Sequence, residues 1–284
     1  MKALAILAVV LATGCAGPAP GEQALAAGDD AFVLRARRGT GTEVLKWKPS
    51  ETAVIICDMW DTHSCKGAAA RVARMAPYVD RFAKAAREKG ALIIHAPSDT
   101  MKHYEGTPGR ELAKNAPAAP APMEFKWRVL DPVKEVKLPI DDRDWCDCPA
   151  KCDIAKVKRE GLPWRRQIDT IEIREGDAIS QSGQEIWNLM AARGIRNVVM
   201  TGVHTNMCVL GRPFGIRQLT MVGKNVVLAR DLTDGLYDPQ KEPKVTQPEA
   251  TQLIVGHIEK HWCPSILSSD VTGKPADWRA APKP

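Results

Sequence analysis

The stretch VVMTGVHTNMCVLGRP, residues 198–213, places an apolar run directly before a turn that ends in a cysteine. Residues 197–203 predict a buried strand, and the residues from Cys208 onward predict an irregular helix. A helix N-terminus carries partial positive charge and unpaired N–H groups, which favour a thiolate. Cys208 is therefore a candidate nucleophile, although a buried cysteine also serves as a small apolar side chain.

Strand and helix patterns alternate on both sides of this stretch. Strands are predicted at 52–58, 91–99, 168–173 and 224–231, and helices at 68–90, 182–194 and 246–262. The alternation predicts an α/β fold, with a doubly wound, Rossmann-like, mostly parallel sheet and helices on both faces. Ligands bind such sheets beyond the carboxyl ends of the strands, where Asp58, His95, Asp99 and the 202–208 turn fall.

Asp58 ends an apolar strand, which is a costly position for a carboxylate that has no partner. Such a carboxylate can take the proton of a neighbouring thiol and later return it to a leaving group. The alternative is that Asp58 caps the helix that follows.

The 284-residue chain predicts one domain at 45–265, with an insertion at 101–165 and a C-terminal tail at 266–284. Lys2 precedes an apolar run that is too short to span a bilayer comfortably. LATGC, at 11–15, resembles a lipoprotein cleavage box. We expect a signal peptide at 1–14, a lipid anchor on Cys15, a flexible tether at 15–44 and a location at a membrane surface of the bacterial envelope. An ordinary signal peptidase site is the alternative.

The distribution of charge and the spacing of the cysteines bear on which ligands the chain can bind. The 40 basic and 34 acidic residues are spread along the chain, so we expect no nucleic-acid partner. CDCPAKC, at 146–152, predicts either disulfides, which an oxidising compartment favours, or a zinc site. The fourth zinc ligand would be Cys65, Cys263 or His261.

AVIICDMW at 53–60 and VVMTGVHTNMCV at 198–209 together resemble the isochorismatase-like cysteine hydrolases, which include nicotinamidases and N-carbamoylsarcosine amidase. The family turn Gly-Val-x-Thr-x-x-Cys-Val matches residues 202–209, and the resemblance spans most of 50–235. It implies that Cys208 is the nucleophile and Asp58 the proton carrier. It also implies a cis peptide after Val203 and an oxyanion hole made by the N–H groups of His204 and Cys208. The side chains that we expect at the substrate are Trp60, His63, Thr205 and Asn206.

The chain departs from the family pattern at one position. The segment at 175–184 carries Ser180 and Gln181 where family members have a lysine. The candidates to replace that positive charge are Lys126, Arg165 and Arg166.

The resemblance also raises a metal site, because nicotinamidases bind a divalent ion through an Asp and two His. IIHAPSDTMKHY, at 93–104, offers His95, Asp99 and His103, although not at the family spacing. These residues are the candidate ligands for a divalent ion such as zinc, and no cofactor is required. The alternative is that Asp99 caps a turn and His95 is a hydrogen-bonded strand-end residue.

These observations predict a cysteine-dependent hydrolase that cleaves a C–N bond in a small amide-type substrate through a thioester. The alternative, suggested by the missing lysine, is a surface-tethered binding protein that has lost catalysis. A third reading is vinyl ether hydrolysis without a covalent step, as some relatives perform. The resemblance is also compatible with a homo-oligomer.

Overall fold

The computed structural model describes residues 31–280, apart from positions 144, 145, 147 and 154. The predicted signal peptide, the anchor at Cys15 and the tether up to residue 30 lie outside the described residues and stay predictions. Within the described part, none of the helices combines the length and the apolar character that crossing a bilayer would need.

The described chain contains one mixed sheet of eight strands. They are β1 (Phe32–Arg38), β2 (Gly41–Trp47), β3 (Thr52–Cys57), β4 (Leu92–Ala96), β5 (Ala178–Ile179), β6 (Asn197–Val203), β7 (Asn225–Asp234) and β8 (Ser265–Ile266). Their order across the sheet is β2-β1-β8-β7-β6-β3-β4-β5. The six strands from β8 to β5 are parallel, and β1 pairs antiparallel with β2 and β8. The predicted α/β fold is confirmed.

Helices cover both faces of this sheet. They are α1 (Lys66–Glu88), α2 (Met101–Tyr104), α3 (Pro108–Lys114), α4 (Ala155–Glu160), α5 (Gly183–Ala192), α6 (Cys208–Gly211), α7 (Ile216–Met221), α8 (Gln247–His261) and α9 (Ser269–Thr272). Successive residues of a strand face opposite sides. Thus Ile56 lies in one core with Val79 of α1, whereas Ile55 lies in the other core with Ile186 of α5 and Ile254 of α8. Each such buried side chain stabilises the fold by about 2 kcal/mol.

The strand predicted at 168–173 is wrong. These residues form turn and loop, and the strand that pairs with β4 is the two-residue β5. Within the segment Ile171 is buried while Ile173 is exposed. The alternation of isoleucine with polar residues therefore belongs to a surface loop that Ile171 anchors.

The predicted tether at 15–44 is wrong from residue 32 onward. Strands β1 and β2 form a hairpin that turns at Gly39, whose φ is +60°. Phe32, Leu34 and Ala36 of β1 are buried, with exposed residues between them. This alternation buries one face of the hairpin and extends the sheet beyond β8.

The predicted C-terminal tail at 266–284 is also wrong as far as residue 280. Ile266 belongs to β8, and α9 follows it. Trp278 is 1% exposed, and its indole N–H donates to the Asp231 carbonyl oxygen at 2.7 Å. The domain therefore includes this segment.

The insertion at 101–165 consists of loops with α2, α3 and α4. One buried ion pair fastens it to the domain, because Arg217 Nε of α7 donates to both carboxylate oxygens of Glu135 at 2.9 and 3.0 Å. His257 Nε2 of α8 lies 3.8 Å from the same carboxylate, and the indole N–H of Trp262 donates to it. The insertion is thus held to two helices of the domain.

Candidate active site

Asp58 and His204 follow two neighbouring parallel strands. β3 ends at Cys57 and β6 at Val203, and Cys57 pairs in register with Gly202. The residues after the two strands therefore emerge at the same edge of the sheet, where α/β folds bind ligands.

The Asp58 carboxylate and the Cys208 thiol lie beside each other at this edge, close enough for each to shift the pKa of the other. Both are buried, at 0% and 6% exposure. Asp58 Oδ1 also accepts from the Ser98 backbone N–H at 2.7 Å, and Oδ2 accepts from Arg212 Nε at 2.9 Å. The structure thus brings together the two residues that the sequence put forward as nucleophile and base.

Burial decides the charge state of this pair. Burial raises the pKa of the Asp58 carboxyl, and Arg212, Cys208 and the Ser98 N–H counteract it. Burial and the Asp58 charge raise the pKa of the Cys208 thiol well above its usual range. At neutral pH Cys208 is therefore a protonated thiol, and Asp58 is the group beside it that could take its proton. The helix whose end was expected to hold a thiolate, α6, spans four residues.

Gly202 lets β6 pass close to β3. Its φ is +96°, and a Cβ at this position would lie 2.0 Å from the Cys57 carbonyl oxygen, so glycine is required. The following peptide, Val203–His204, is cis, as the resemblance implied. The His204 backbone N–H donates to the Cys208 sulfur. The Cys208 N–H stands at the first position of α6, where a helix offers no internal acceptor.

Sequence reasoning missed Arg212. Its backbone N–H donates to the Cys208 carbonyl oxygen at 2.9 Å, one helical turn away. Its guanidinium reaches Asp58 through Nε and Asp99 Oδ2 through Nη2 at 3.1 Å, and it lies over the Trp127 ring at 5.0 Å. The spacing of four residues from Cys208, which places two side chains on one face of a helical turn, was the available signal.

The three cations predicted to replace the family lysine make other contacts. The partners are Glu124 for Lys126 at 2.6 Å, Asp169 for Arg166 at 2.7 Å, and Asp61 for the backbone N–H of Arg165 at 3.1 Å. Ser180 donates to Glu185 at 2.5 Å, away from Asp58. The cation that contacts Asp58 is Arg212.

Stacked rings form a wall beside His204. Trp164 stacks on Trp60 at 4.3 Å between centroids and on His63 at 5.4 Å, and His63 meets His204 edge-on at 4.9 Å. Burial lowers the pKa of His204 well below its usual range, so this ring is neutral. Trp164 Nε1 and His204 Nε2 have no hydrogen-bond partner among the described residues. Trp60 and His63, predicted at the substrate, thus belong to this aromatic wall.

Thr205 and Asn206 brace the turn. Thr205 Oγ1 bonds to Thr233 Oγ1 at 2.8 Å, and Asn206 exchanges two hydrogen bonds with the backbone of Leu236 at 2.9 and 3.0 Å. Both are buried, and these bonds occupy their polar side-chain atoms. Their contact with substrate stays a prediction.

The predicted metal ligands His95, Asp99 and His103 do not form a metal site. His95 is buried, and its two ring nitrogens bond to Gln167 at 3.0 Å and Asp177 at 3.1 Å. The Asp99 carboxylate is paired with Arg212. Within the described residues, the group whose ligand atoms lie close enough to share one ion consists of four cysteines: Cys65, Cys146, Cys148 and Cys152.

A surface concavity of about 350 Å³ lies elsewhere on the insertion, lined by residues that include Arg128, Leu130, Glu135 and Arg217. Its lining does not include Cys208 or Asp58. We place the candidate site at the Cys208–Asp58 pair because a thiol, a carboxylate and the Arg212 guanidinium meet there. The residues named above for the concavity include no nucleophile.

No protein-family model matches the chain, and no curated protein matches its sequence significantly. Solved structures do match its fold. A cysteine hydrolase from Pseudomonas syringae pv. phaseolicola 1448A aligns at 14% identity and a TM-score of 0.49, over 84% of this chain and 95% of that chain. An isochorismatase from Pseudomonas putida KT2440 aligns at 13% identity and a TM-score of 0.45, over 79% and 91%.

The pyrazinamidase of Pyrococcus horikoshii in complex with zinc aligns at 16% identity and a TM-score of 0.42, over 76% of this chain and 99% of that chain. Identities this low do not tell which substrate this chain takes, so its chemistry has to follow from its own side chains. The structural neighbours of the chain are isochorismatase-family cysteine hydrolases, the family that its 202–209 turn resembles.

Proposed function

We propose that the chain is a cysteine-dependent hydrolase that cleaves a small amide-type substrate through a thioester on Cys208. The observation that carries the proposal is the buried Cys208 thiol within reach of the Asp58 carboxylate, close enough for each to shift the pKa of the other. A nucleophile in hydrogen-bond contact with a base is the arrangement that covalent catalysis requires. Arg212, which donates to Asp58 Oδ2, supplies a positive charge at the base.

In the first half-reaction Asp58 takes the thiol proton while the Cys208 sulfur attacks the substrate carbonyl carbon. The carbonyl oxygen becomes an oxyanion, and the backbone N–H groups of His204 and Cys208 are the donors that we expect to stabilise it. The C–N bond then breaks, and Asp58 returns its proton to the leaving nitrogen. The products of this half are a free amine or ammonia and an acyl thioester on Cys208.

In the second half-reaction water attacks the thioester carbon and gives a proton to Asp58. The same two N–H groups hold the second oxyanion. The C–S bond breaks, the acid product leaves, and Asp58 returns the proton to the Cys208 sulfur. The net reaction adds one water across the C–N bond and regenerates the resting pair.

Arg212 acts as a positioning residue in this scheme. Its guanidinium lowers the pKa that burial raises in Asp58, which favours the ionised carboxylate that can accept a proton. The same charge favours the thiolate that develops during attack, because it also lowers the pKa of Cys208. It therefore supplies the positive charge for which the sequence offered Lys126, Arg165 and Arg166 as candidates.

The surroundings favour a small, planar substrate. The site is nearly closed, with Cys208 6% exposed, and one side is the aromatic wall of Trp60, Trp164 and His63. A flat group can stack against these rings. The unpartnered Trp164 Nε1 and the neutral His204 ring offer hydrogen bonds to a polar edge.

The test incubates the full chain with a panel of small primary amides and measures the ammonia that is released from them. We expect at least one amide to be hydrolysed, and Cys208→Ala and Asp58→Asn to lose this activity. Cys263→Ala, which removes a buried thiol outside the site, is the matched control and keeps it. Full turnover by Cys208→Ala would contradict the covalent route and favour vinyl-ether-type hydrolysis. Absence of turnover with tight ligand binding would favour the binding protein.

The localisation and partners beyond the substrate rest on the sequence alone. We propose that Cys15 carries a lipid that holds the chain at a membrane surface, and that the chain forms a homo-oligomer. Cys15→Ala should move the protein from the membrane fraction to the soluble fraction of the envelope. Sedimentation of the purified chain tests the oligomer.

A further inference from the structure

Four cysteine sulfurs converge where the insertion meets the first turn of α1. Cys65, Cys146, Cys148 and Cys152 place their sulfurs within 4.8 Å of one another. Cys148 Sγ lies 3.7 Å from Cys65 Sγ and 3.6 Å from Cys152 Sγ. Cys65 and Cys146 are buried, and the other two are half-buried. We call these residues the four-cysteine cluster.

The spacing suits one tetrahedral ion. A zinc centre with four thiolate ligands and Zn–S bonds of about 2.3 Å has sulfur–sulfur edges of about 3.8 Å. The two separations from Cys148 fall close to that edge. A disulfide brings two sulfurs to about 2.05 Å and excludes a third, whereas Cys148 is nearly equidistant from two neighbours. The arrangement therefore lacks the pairing that a staple of disulfides would produce.

Backbone N–H groups point at these sulfurs. Gly67 N–H donates to Cys148 Sγ at 3.2 Å, Lys66 N–H to Cys152 Sγ at 3.5 Å, and Cys152 N–H to Cys146 Sγ at 3.3 Å. The first two donors belong to the opening turn of the 23-residue α1, the positive end of a long helix dipole. Hydrogen bonds of this kind orient metal ligands and offset the negative charge of thiolates.

We propose that the four-cysteine cluster binds one zinc ion as a structural site. Thiolates are soft ligands and select zinc or iron over magnesium or calcium. Sulfurs that all lie within 4.8 Å surround a single ion and leave too little room for a multi-iron cluster. Four protein ligands fill a tetrahedral zinc, so no coordination position remains for water or substrate.

The zinc ties the insertion to the wall of the candidate active site. The Cys65 N–H donates to His63 Nδ1 at 3.0 Å, and the His63 ring meets His204. Leu236 packs against the cluster and is fixed by Asn206 of the nucleophile turn. The ion would therefore hold His63 and Leu236 in place while staying outside the chemistry. The proposal does not depend on the proposed hydrolase activity.

The experiment measures metal directly. The full chain is produced without a histidine tag or added metal, and its metal content is determined by plasma mass spectrometry. We expect one zinc per chain, and Cys148→Ser should lower this to near zero. Cys263→Ser, a buried cysteine outside the cluster, should keep it.

Two further measurements keep the proposal falsifiable if Cys148→Ser fails to fold. Cobalt exchanged into the wild-type chain should give the strong visible bands of a tetrahedral thiolate site. Peptide mapping without reduction should find no disulfide among the four cysteines. Iron in place of zinc, a chain without bound metal, or mapped disulfides within the cluster would each overturn the proposal.

Discussion

Arg212 Nε lies 2.9 Å from Asp58 Oδ2, so a guanidinium and a thiol hold the same buried carboxylate. The two residues are far apart in sequence, and the 208–212 turn brings the cation and the nucleophile to Asp58 together. A buried carboxylate without a partner would favour its neutral form. The ion pair therefore keeps the proposed base in the state that can accept a proton.

Replacing Arg212 should change how the reactivity of Cys208 falls at acid pH. Because Arg212 lowers the pKa of Asp58, Arg212→Gln should raise that pKa further and move the loss of Cys208 reactivity to higher pH. The displacement should be about one to three pH units, as for a carboxylate that loses a neighbouring arginine. Alkylation of Cys208 by iodoacetamide, followed across pH by peptide mass spectrometry, measures it.

Arg212→Lys is the matched control for that experiment. It keeps the charge without the planar donor set, so its profile should lie between those of the wild type and Arg212→Gln. An acid limb that stays in place in Arg212→Gln would contradict the role given to this cation.

Replacing Asp58 should remove the acid limb altogether. In the wild type the Cys208 alkylation rate should fall as Asp58 becomes protonated, with a midpoint above the usual range of an aspartate carboxyl, since burial raises that pKa. In Asp58→Asn the neutral-pH rate should drop about 10²- to 10⁴-fold, the contribution of a general base. The remaining reactivity should rise at alkaline pH alone. A fast thiolate near pH 6 in this variant would show that Cys208 does not need Asp58.

Glu135 should stabilise the fold in a pH-dependent way. Burial would raise the pKa of its carboxyl, but the neighbouring His257 ring and the hydrogen bonds from Arg217 and Trp262 outweigh it and hold that pKa at about 2. Because the folded-state pKa is depressed, this stabilisation is complete above the ordinary carboxyl range and is lost as pH falls toward about 2.

Glu135→Gln should therefore lower the free energy of unfolding at pH 7 by about 3 kcal/mol, since it leaves the buried Arg217 without its counter-charge. Urea unfolding at pH 7 and at pH 3 measures the effect, and the difference from wild type should shrink at the lower pH. An equal difference at both values would contradict the ionic role of Glu135.

Trp278 should be essential for stability although it lies near the C-terminus. Trp278→Ala removes a side chain that is 1% exposed and should cost about 3 to 5 kcal/mol in thermal or urea unfolding. Trp127→Ala removes a ring that is 45% exposed and should cost much less. If the two variants were equally stable, residues 266–280 would not belong to the folded domain.

The sequence predicted the central strands well because their apolar runs carry the signal locally. Residues 52–57 and 197–203 are buried on both faces, and such continuous runs are typical of parallel sheets. The hairpin was missed because Arg35 and Arg37 interrupt the pattern, although Phe32 and Leu34 alternate with exposed residues, as in a strand with one buried face.

The sequence predicted those site residues that lie within or directly after a recognisable motif. Asp58 and Cys208 follow strands, and strand ends meet at one edge. Identifying Arg212 as a site residue required knowing where its side chain points after the short helix α6. Choosing Cys65 as the fourth cysteine of the cluster required knowing how the insertion packs against α1, which no local pattern encodes.

The most direct test of the central claim is mass spectrometry of the chain quenched during amide turnover. A thioester on Cys208 predicts an added acyl mass on the peptide that contains this residue. Neutral hydroxylamine should remove that mass, and it should not form in Asp58→Asn. Turnover without any adduct on Cys208, or an acyl group on another residue, would contradict the proposed mechanism.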